Sequence, residues 1–313
     1  MAEPLVSIIV LTWNGKQYLK TCLDSCISQT YKKLEIIVVD NASTDDTTNF
    51  VKENYPRCRL IANEKNLGFA EGNNTGIRAA KGEWIFILNN DTKLEKNCVE
   101  ELYKAVKGKE NAGMASPKMC LWDKKVDTLG LQLLKKGYTK DIKKVEWDKE
   151  PLAPCGGAAF YSRKMLESVK IKGKNWKYDY YDSDYFIYYE DFDLGLRARL
   201  LGWKCIHAPD AVVYHLHGAT MGKFSSTQVF FGDRNRSWTI IKNYPAKVFW
   251  KNFHWFLILN FATLAKWTLK GKFFPIIKSK FSMLVGLGKM LKKRKYIQEK
   301  RRVNDEEFEK LMV

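Results

Sequence analysis

The sequence predicts an α/β fold in which a mostly parallel sheet carries helices on both faces. Three observations support this: the first 120 residues alternate strand and helix patterns, the strand segments are continuously apolar, and 45% of the 313 residues are hydrophobic. Continuous apolar strands are typical of strands buried on both faces, as in parallel sheets covered by helices. The length suits one or two domains with a full core.

Two β-α units open the chain. Residues 6–13 form a β-branched apolar run that stops at an Asn-Gly pair, and a helix is expected over about residues 16–28. Residues 35–40 form the second predicted strand, and after a polar turn a helix extends to about residue 55. A short apolar run that ends in turn-forming residues indicates a buried strand.

Two further strands are predicted over residues 58–62 and 83–88, and a helix rich in small residues covers about 69–80. Glycines at positions 68, 72 and 76 recur every four residues, so they lie on one face of that helix. Such a face allows close approach of a ligand or close packing of helix on sheet, and the sequence favours neither.

The second half of the chain has a less regular pattern. Residues 118–150 are polar and irregular, and a hairpin or a flexible loop is expected there. A strand over 154–161 and a helix over about 192–201 follow. Two short closing strands are expected over 205–208 and 211–214.

The positive charge is concentrated near the C-terminus. Between Lys242 and Arg302 there are sixteen Lys or Arg residues and one acidic residue, so this segment carries most of the net charge of +18. We therefore predict a domain over residues 1–244 and a basic, aromatic helical tail over 245–313. The longest uncharged run of the tail, residues 252–265, is shorter than the roughly 20 residues that span a bilayer.

Aromatic and aliphatic residues interleaved with lysines predict that the 245–302 segment binds an anionic membrane surface as an interfacial helix. Two alternatives stay open: a helix that packs on the domain with a solvated basic face, and an oligomerisation element. Nucleic acid is not an expected partner, because no recognition motif accompanies the charge.

The cysteine pattern and the N-terminus indicate the compartment. The seven cysteines are scattered without a C-x-x-C pair, and no signal-peptide pattern is visible. Reduced thiols are therefore expected rather than a disulfide framework or a zinc site. Together with the basic tail, this predicts a cytoplasmic protein that is peripheral on the inner face of the cell membrane.

The fourth predicted strand ends in Asn89, Asn90 and Asp91. Open α/β sheets bind ligands at the carboxyl ends of their strands, and a carboxylate there is well placed to hold a divalent cation. A simple polar turn is the alternative, because Asn and Asp bond to their own backbone.

Asp40 ends the second predicted strand, and Thr12, Trp13 and Asn14 end the first. A carboxylate at this position can accept the ring N–H of a uracil or thymine base. Capping of the helix that follows is the alternative for this turn, and both interpretations can hold for different residues.

The tract around Glu190, Asp191 and Asp193 places three carboxylates within four residues at a helix start. Helix capping accounts for some acidic residues there, but a general base also needs a partly enclosed carboxylate. His215 follows an apolar strand and is a candidate metal ligand, with His217 as the alternative.

Together these segments resemble glycosyltransferase family 2, and within it the rhamnosyltransferase-like branch. The resemblance covers roughly residues 5–245. The segments that carry it are 6–14, 38–45, 66–74, 88–92, 156–160, 190–194, 213–215 and 233–236, the last of which resembles a late Arg-Asn signature of the branch. It implies a GT-A type, mostly parallel Rossmann-like sheet flanked by helices, with a C-terminal basic amphipathic helical extension.

The resemblance also implies residue roles. The donor-binding residues would be Thr12, Trp13, Asn14, Asp40, Asn66, Asn73, Asn89, Asn90 and Asp91. Asp91 and His215 would bind Mg²⁺ or Mn²⁺, and Asp191 would be the catalytic base with Glu190 beside it. The acceptor side would include Gly156, Gly157 and Arg234.

The implied activity is inverting transfer from a UDP- or dTDP-sugar to a hydroxyl of a glycan or lipid-linked acceptor in cell-surface polysaccharide synthesis. One position departs from the family pattern, since the metal motif is often Asp-x-Asp and residue 89 is Asn. Metal binding is therefore expected to depend more on Asp91 and His215. The alternatives are a nucleotidyltransferase and a non-catalytic nucleotide-sugar-binding scaffold at the membrane.

Overall fold

The computed structural model describes residues 3–144, 150–173, 177–216 and 225–313. The strands in these ranges are β1 (Val6–Thr12), β2 (Leu34–Asp40), β3 (Arg59–Ala62), β4 (Trp84–Asn89), β5 (Thr92–Leu94), β6 (Ala112–Leu121), β7 (Val126–Thr128), β8 (Leu131–Leu133), β9 (Thr139–Asp141), β10 (Ala158–Ser162), β11 (Ile171–Lys172), β12 (Tyr178–Asp179) and β13 (Lys204–His215). The helices are α1 (Lys16–Ile27), α2 (Thr47–Asn54), α3 (Gly68–Ala79), α4 (Cys98–Val106), α5 (Arg163–Val169), α6 (Glu190–Leu200), α7 (Ser226–Asn243), α8 (Ala246–Lys251), α9 (Phe253–Leu269), α10 (Phe273–Val285), α11 (Leu287–Glu299) and α12 (Asp305–Lys310).

The main sheet has the strand order β3-β2-β1-β4-β10-β6-β13-β5, with β7 paired to β6. Strands β3, β2, β1 and β4 are parallel, and β6 and β13 are parallel to each other. Strand β10 lies antiparallel between these two groups. The predicted α/β fold with a mostly parallel sheet is confirmed.

Helices cover both faces of this sheet. On one face α1 and α4 pack through residues such as Leu23 and Leu102, and on the other face α3 and α6 pack through residues such as Ile77 and Leu194. All four side chains are fully buried, and burying a Leu or Ile contributes about 1.5–3 kcal/mol. Burial on both faces explains why the strands read as continuous apolar runs.

The glycines of α3 mainly serve close packing. A Cβ at Gly72 would lie 2.6 Å from Leu11 Cδ1, and a Cβ at Gly76 would lie 2.5 Å from Ile9 Cγ2. Both neighbours belong to β1, so these two glycines let the helix approach the sheet. Gly68 is different, because its φ of +77° places it in the left-handed region that glycine favours.

Several predicted elements need correction. The two closing strands are one strand, β13, whose pairing with β6 shifts register between Ala208 and Val212. Pro209 and Asp210 interrupt its apolar pattern, which is why the sequence reads as two strands. The irregular 118–150 segment contains the end of β6, β7 and the β8–β9 hairpin, while residues 145–149 lie outside the described ranges.

The C-terminal helices differ in how they contact the rest of the chain. Helices α10 and α11 pack on α7, where Met290 joins Trp238 in one apolar cluster, and Phe308 of α12 joins Tyr244 in another. In contrast, α9 buries no side chain fully. No helix in the described ranges combines the length and apolar character needed to cross a membrane.

Candidate active site

The carboxyl ends of three neighbouring parallel strands meet at one edge of the main sheet. Thr12 faces Asp40 in the β1–β2 register, and Leu11 faces Asn89 in the β1–β4 register. The strand ends predicted to bind a donor are therefore neighbours. Open α/β sheets bind ligands at this kind of edge.

The turns after β1 and β2 are bonded to each other. Asn14, at a φ of +49°, donates its backbone N–H to Ser43 Oγ (2.8 Å), and its Oδ1 accepts the Thr44 backbone N–H (2.7 Å). The buried Asp40 carboxylate accepts hydrogen bonds from Ser43 and from Thr48 Oγ1 (2.8 Å). These contacts engage both carboxylate oxygens of Asp40, since the Ser43 N–H also lies 3.4 Å from Oδ2.

Amide side chains shape the turn that leads into α3. Asn66 Oδ1 accepts the Gly68 N–H (2.8 Å), and Asn41 Nδ2 donates to the Gly68 carbonyl (2.9 Å). Asn63 Nδ2 in turn donates to Asn41 Oδ1 (2.9 Å). These bonds connect the end of β2 with the start of α3.

Asn73 and Trp13, which are both predicted to bind the donor, differ in exposure. Asn73 is fully buried, and its Oδ1 has no hydrogen-bond partner within the described ranges. An unpaired buried oxygen is costly unless a donor reaches it. Trp13 is 41% exposed, so its indole ring is open for stacking.

Asn90 and Asn89 have different partners. Asn90 Nδ2 donates to Thr12 Oγ1 (2.9 Å), and a Cβ at Gly15 would lie 1.9 Å from that nitrogen. Asn90 therefore ties β4 to β1, and this contact requires a glycine at position 15. The backbone N–H of Asn89 donates to the Gly157 carbonyl (3.0 Å).

Asp91 and His215 lie together at the ends of β4 and β13. Asp91 is buried, and its Oδ1 has no hydrogen-bond partner among the residues that the structure describes. His215 Nε2 lies 3.5 Å from this oxygen, and His215 Nδ1 lies 3.0 Å from Asp127 Oδ2. Burial acts to lower the pKa of His215, but Asp127 and Asp91 outweigh it and raise the pKa to about 9.

This pair fits a divalent cation. A bound cation would displace the Nε2 proton of His215, and Asp127 would keep the Nδ1 proton of the neutral ring, which leaves Nε2 as the ligand atom beside Asp91. Within the described ranges no group of three or more His, Cys, Asp or Glu side chains is arranged to hold a metal. Two protein ligands are enough where phosphate oxygens complete the coordination, as is common for Mg²⁺. His217, the alternative ligand, lies outside the described residues.

Asp191 lies in the first turn of α6. Its Oδ2 accepts the Gly156 N–H (2.8 Å), and its Oδ1 accepts the Phe192 N–H (2.7 Å). Burial raises the pKa of Asp191 to about 6, although both backbone N–H groups favour the charged form. A carboxylate with a pKa near neutrality suits a general base.

Two successive glycines connect Asp191 with the β4 strand end. Gly156 bonds Asp191, and Gly157 bonds Asn89. A Cβ at Gly156 would lie 3.2 Å from Asp191 Oδ2 and 3.3 Å from the Phe69 ring. A side chain at position 156 would therefore crowd the carboxylate.

Glu190 and Asp191 have different environments. Burial, with the neighbouring Asp191, raises the pKa of Glu190 well above its ordinary value, and Glu190 Oε2 has no hydrogen-bond partner in the described ranges. Asp191, in contrast, accepts two backbone N–H groups that favour its charged form, and this favours Asp191 as the base.

Arg234 lies on α7 and is buried. Its Nη2 donates to the Asp184 carbonyl (2.9 Å), and its guanidinium carbon lies 4.1 Å from the centroid of the Trp238 ring. These contacts hold the segment that precedes α6. The predicted acceptor-side role of Arg234 stays a prediction.

Sequence reasoning missed Asp127, Asn41 and Asn235 as site residues. Asp127 lies 88 positions from His215, so no local pattern joins them. Asn41 belongs to the polar turn after β2, and Asn235 directly follows Arg234. The signal for Asn235 was therefore present, because segment 233–236 is part of the family resemblance.

The chain is similar to a protein family and to individual known proteins. The family model of Glycosyl transferase family 2 matches residues 7–170, more than half of the chain. Glycosyltransferase GlyG from Streptococcus pneumoniae is 36% identical over 110 residues, which cover 34% of this chain and 36% of GlyG. The match thus spans about a third of that relative.

Other similarities extend further along the chain. The N-acetylglucosaminyl-diphospho-decaprenol L-rhamnosyltransferase of Mycobacterium tuberculosis is 24% identical over 271 residues, covering 75% of this chain and 86% of that protein. The mannosyltransferase PcManGT from Pyrobaculum calidifontis, solved with GDP-Man and Mn²⁺, has a TM-score of 0.56 and 21% identity, covering 95% of this chain and 85% of that one. The structural likeness confirms the predicted GT-A type of fold.

Proposed function

Because this chain belongs to glycosyl transferase family 2, we propose that it transfers a sugar from a nucleotide-sugar donor to a hydroxyl of a glycan or lipid-linked acceptor, with inversion. One observation carries the proposal. The Asp91–His215 pair lies just after β4, and Asp191 is connected to the end of the same strand through Gly156, which bonds Asp191, and Gly157, which bonds Asn89. A diphosphate site and a base at one edge of a sheet suit direct displacement, because both reactants are held together.

The donor base and sugar would bind along the turns after β1 and β2. Asp40 accepts the ring N–H of uracil or thymine, and the exposed Trp13 stacks on the nucleoside with Thr12 and Asn14 beside it. Asn66 and Asn73 face the sugar. The unpaired Oδ1 of Asn73 supports this role, since a sugar hydroxyl can supply the donor. UDP- and dTDP-sugars are the proposed donor class.

Asp91 and His215 would hold Mg²⁺ or Mn²⁺ beside the donor diphosphate. When bound, such a cation neutralises the charge that develops on the leaving diphosphate. Asn89 offers a neutral amide where the family often has a second carboxylate, so the anionic share of the protein's ligands comes from Asp91. The unpaired Asp91 Oδ1 supports this assignment.

Asp191 would act on the acceptor. It accepts the proton of the acceptor hydroxyl while that oxygen attacks the anomeric carbon opposite the diphosphate. The new C–O bond forms as the bond to the diphosphate breaks, so the anomeric configuration inverts without a glycosyl-enzyme intermediate. Gly156 and Gly157 leave room for the acceptor, and the two backbone N–H groups bonded to Asp191 favour the ionised form that acts as a base.

The acceptor is proposed to be lipid-linked, in cell-surface polysaccharide synthesis. The name of the mycobacterial relative includes a decaprenol-linked diphosphate, which supports this class of acceptor for the present chain. A lipid-linked acceptor requires the enzyme to work at a membrane surface.

The helices α9 and α10 offer a surface for membrane binding. They pack against each other, and large apolar side chains remain exposed on both, including Leu269 (88%), Phe274 (83%) and Phe281 (69%). Lys270 and Lys272 lie in the connection between them. Exposed apolar side chains beside lysines suit insertion into an anionic membrane interface, which supports a peripheral location on the inner face of the cell membrane.

The proposed function is tested with a panel of UDP- and dTDP-sugars, Mn²⁺ and lipid-linked or glycan acceptors. We expect transfer from at least one donor, with an inverted linkage in the product by NMR. Nucleotide-sugar binding without transfer or hydrolysis from any donor would contradict the enzyme and favour a binding scaffold.

A further inference from the structure

The loop that leads into α6 has an unusual backbone. Phe186, Tyr188 and Tyr189 have φ values of +65°, +70° and +70°. Aromatic residues rarely adopt this left-handed region, so the surrounding structure must hold the loop in place. Asp191 follows this loop by two residues.

One side chain of α7 bonds most of this loop. Asn235 is fully buried, and its Nδ2 lies within hydrogen-bonding distance of the carbonyls of Tyr185 (2.9 Å), Ile187 (2.9 Å) and Tyr188 (2.8 Å), so its two N–H donors are shared among three acceptors. Its Oδ1 accepts the Nε–H of Arg234 (2.9 Å), which fixes the orientation of the amide. Without this amide, the three carbonyls would lose a hydrogen-bond donor.

The same loop reaches the proposed donor side. The Phe186 carbonyl accepts the Ala70 N–H (3.1 Å) at the start of α3. A Cβ at Gly68 would lie 2.5 Å from the Phe186 ring, so this glycine leaves space for the loop. At the other end, the Tyr189 carbonyl accepts the Asp193 N–H in the first turn of α6.

We propose that Asn235 is a positioning residue that holds the Tyr185–Tyr189 loop in its left-handed conformation and thereby sets the Asp191 carboxylate against Gly156. This inference rests on the proposed function, because it assigns the loop to the base of that reaction. Asn235 touches no reacting atom itself. It acts through the backbone that carries Asp191, with Arg234 orienting its amide.

The test compares Asn235→Ala with a matched control, Gln29→Ala. Gln29 is also a buried amide with three bonds, to the Ser25 and Glu95 carbonyls and the Val99 N–H, but it lies in the α1–α4 region. We expect Asn235→Ala to lower kcat about 100-fold while the donor KM stays within about threefold, since a small misplacement of a reacting group has this effect. Gln29→Ala should keep kcat within about twofold of the wild type.

Hydrogen exchange provides a readout that does not depend on activity. Amides of residues 186–190 should exchange faster in Asn235→Ala and at the wild-type rate in Gln29→Ala.

If Asn235→Ala does not fold, the test uses Asn235→Ser instead. The serine hydroxyl keeps one donor for the same carbonyls, so this variant should have an intermediate kcat. A folded variant with wild-type kcat would overturn the proposal, as would unchanged exchange in the loop. A wild-type protein without transferase activity would instead refute the proposed function, while the exchange result would still decide the role of Asn235 in the loop.

Discussion

At the scale of single residues, the site separates its carboxylates by their environments. Asp40 is bonded within its own turn, Asp91 keeps a buried oxygen without a hydrogen-bond partner in the described ranges, and Asp191 accepts two backbone N–H groups. Glu190 is buried next to Asp191 with a raised pKa. Four acidic side chains near one sheet edge can therefore take different roles.

The pKa of Asp191 predicts the pH dependence of transfer. Burial raises this pKa to about 6, and only the ionised carboxylate accepts a proton. The kcat/KM for the acceptor should therefore increase as the pH rises through about 6 and fall about tenfold per pH unit below it. Circular dichroism over the same range serves as the control for folding. A kcat/KM that is flat between pH 5 and pH 8 would argue against Asp191 as the base.

Asp127 should control metal affinity through His215. We expect Asp127→Asn to weaken Mn²⁺ binding about 10- to 100-fold, measured by titration calorimetry with a nucleoside diphosphate present, because the His215 ring loses its anionic partner. Asp123→Asn is the matched control, since Asp123 lies in the turn of the same hairpin and pairs with the exposed Lys125. Equal Mn²⁺ affinities in the two variants would contradict this assignment.

Site residues at strand ends could be predicted from the sequence. Site residues whose partners are distant in the sequence could not. Asp40 and Asp91 each follow an apolar run, so their place at the edge was predictable, and the structure brings them there. Asp127 and Asn235 contact their partners only after distant segments pack. The sequence contains no periodic signal for such contacts.

At the scale of elements, α11 is tied to the site by a cluster of buried ion pairs. Lys293 contacts Asp182 (2.5 Å) and Asp184 (2.7 Å), and Lys242 of α7 contacts Asp182 (2.5 Å) and Asp193 (2.8 Å). Burial acts to raise the pKa of Asp182, but Lys242 and Lys293 outweigh it and hold the pKa well below its usual range. A segment of the predicted tail therefore supports the chain just before the Tyr185–Tyr189 loop.

Removing one partner of this cluster should be strongly destabilising. We expect Lys293→Met to lower the free energy of unfolding by about 3–5 kcal/mol, because it leaves the buried Asp182 to share Lys242 with Asp193. Lys289→Met is the control on the same helix. Lys289 also pairs with Asp184, but its side chain is 46% exposed, so its loss should cost about 0–1 kcal/mol. Urea unfolding measures the free energy of unfolding of both variants. Equal decreases in the two variants would contradict the importance of burial.

The elements could be predicted where their pattern is continuous. The four parallel strands of the first half were predicted within one or two residues, because each is a short apolar run. Strand β6 was not predicted, although it lies centrally between β10 and β13, since Pro117 and Lys118 break its apolar pattern. Its place in the sheet depends on partners that are distant in sequence.

At the scale of the whole molecule, the C-terminal helices form one surface that packs on α7 and another that exposes apolar side chains. Helices α10 and α11 pack on α7, whereas α9 and the outer face of α10 expose large apolar side chains. Removing residues 245–313 would expose Trp238 and Tyr244, which the tail covers, so truncation is a poor test of membrane binding. Single substitutions on the exposed face are better suited.

Membrane binding should depend on the exposed phenylalanines of α10. We expect the double substitution Phe274→Glu and Phe281→Glu to reduce flotation with vesicles that contain anionic lipid at least tenfold, because each buried Phe contributes about 1.5–3 kcal/mol. Ile27→Glu, an exposed apolar position on α1, is the control and should float like the wild type. Flotation of the double variant at the wild-type level would exclude this face as the membrane contact.

The central claim is that Asp191 acts on the acceptor while Asp91 and His215 serve the donor. The most direct measurement is the sugar-transfer rate of Asp191→Asn at saturating donor and Mn²⁺, with nucleoside diphosphate affinity measured on the same protein. We expect transfer to fall about 100- to 10,000-fold while that affinity stays within about threefold, because the base acts on the acceptor and not on the donor. A variant that retains a tenth or more of the wild-type transfer rate would contradict the account.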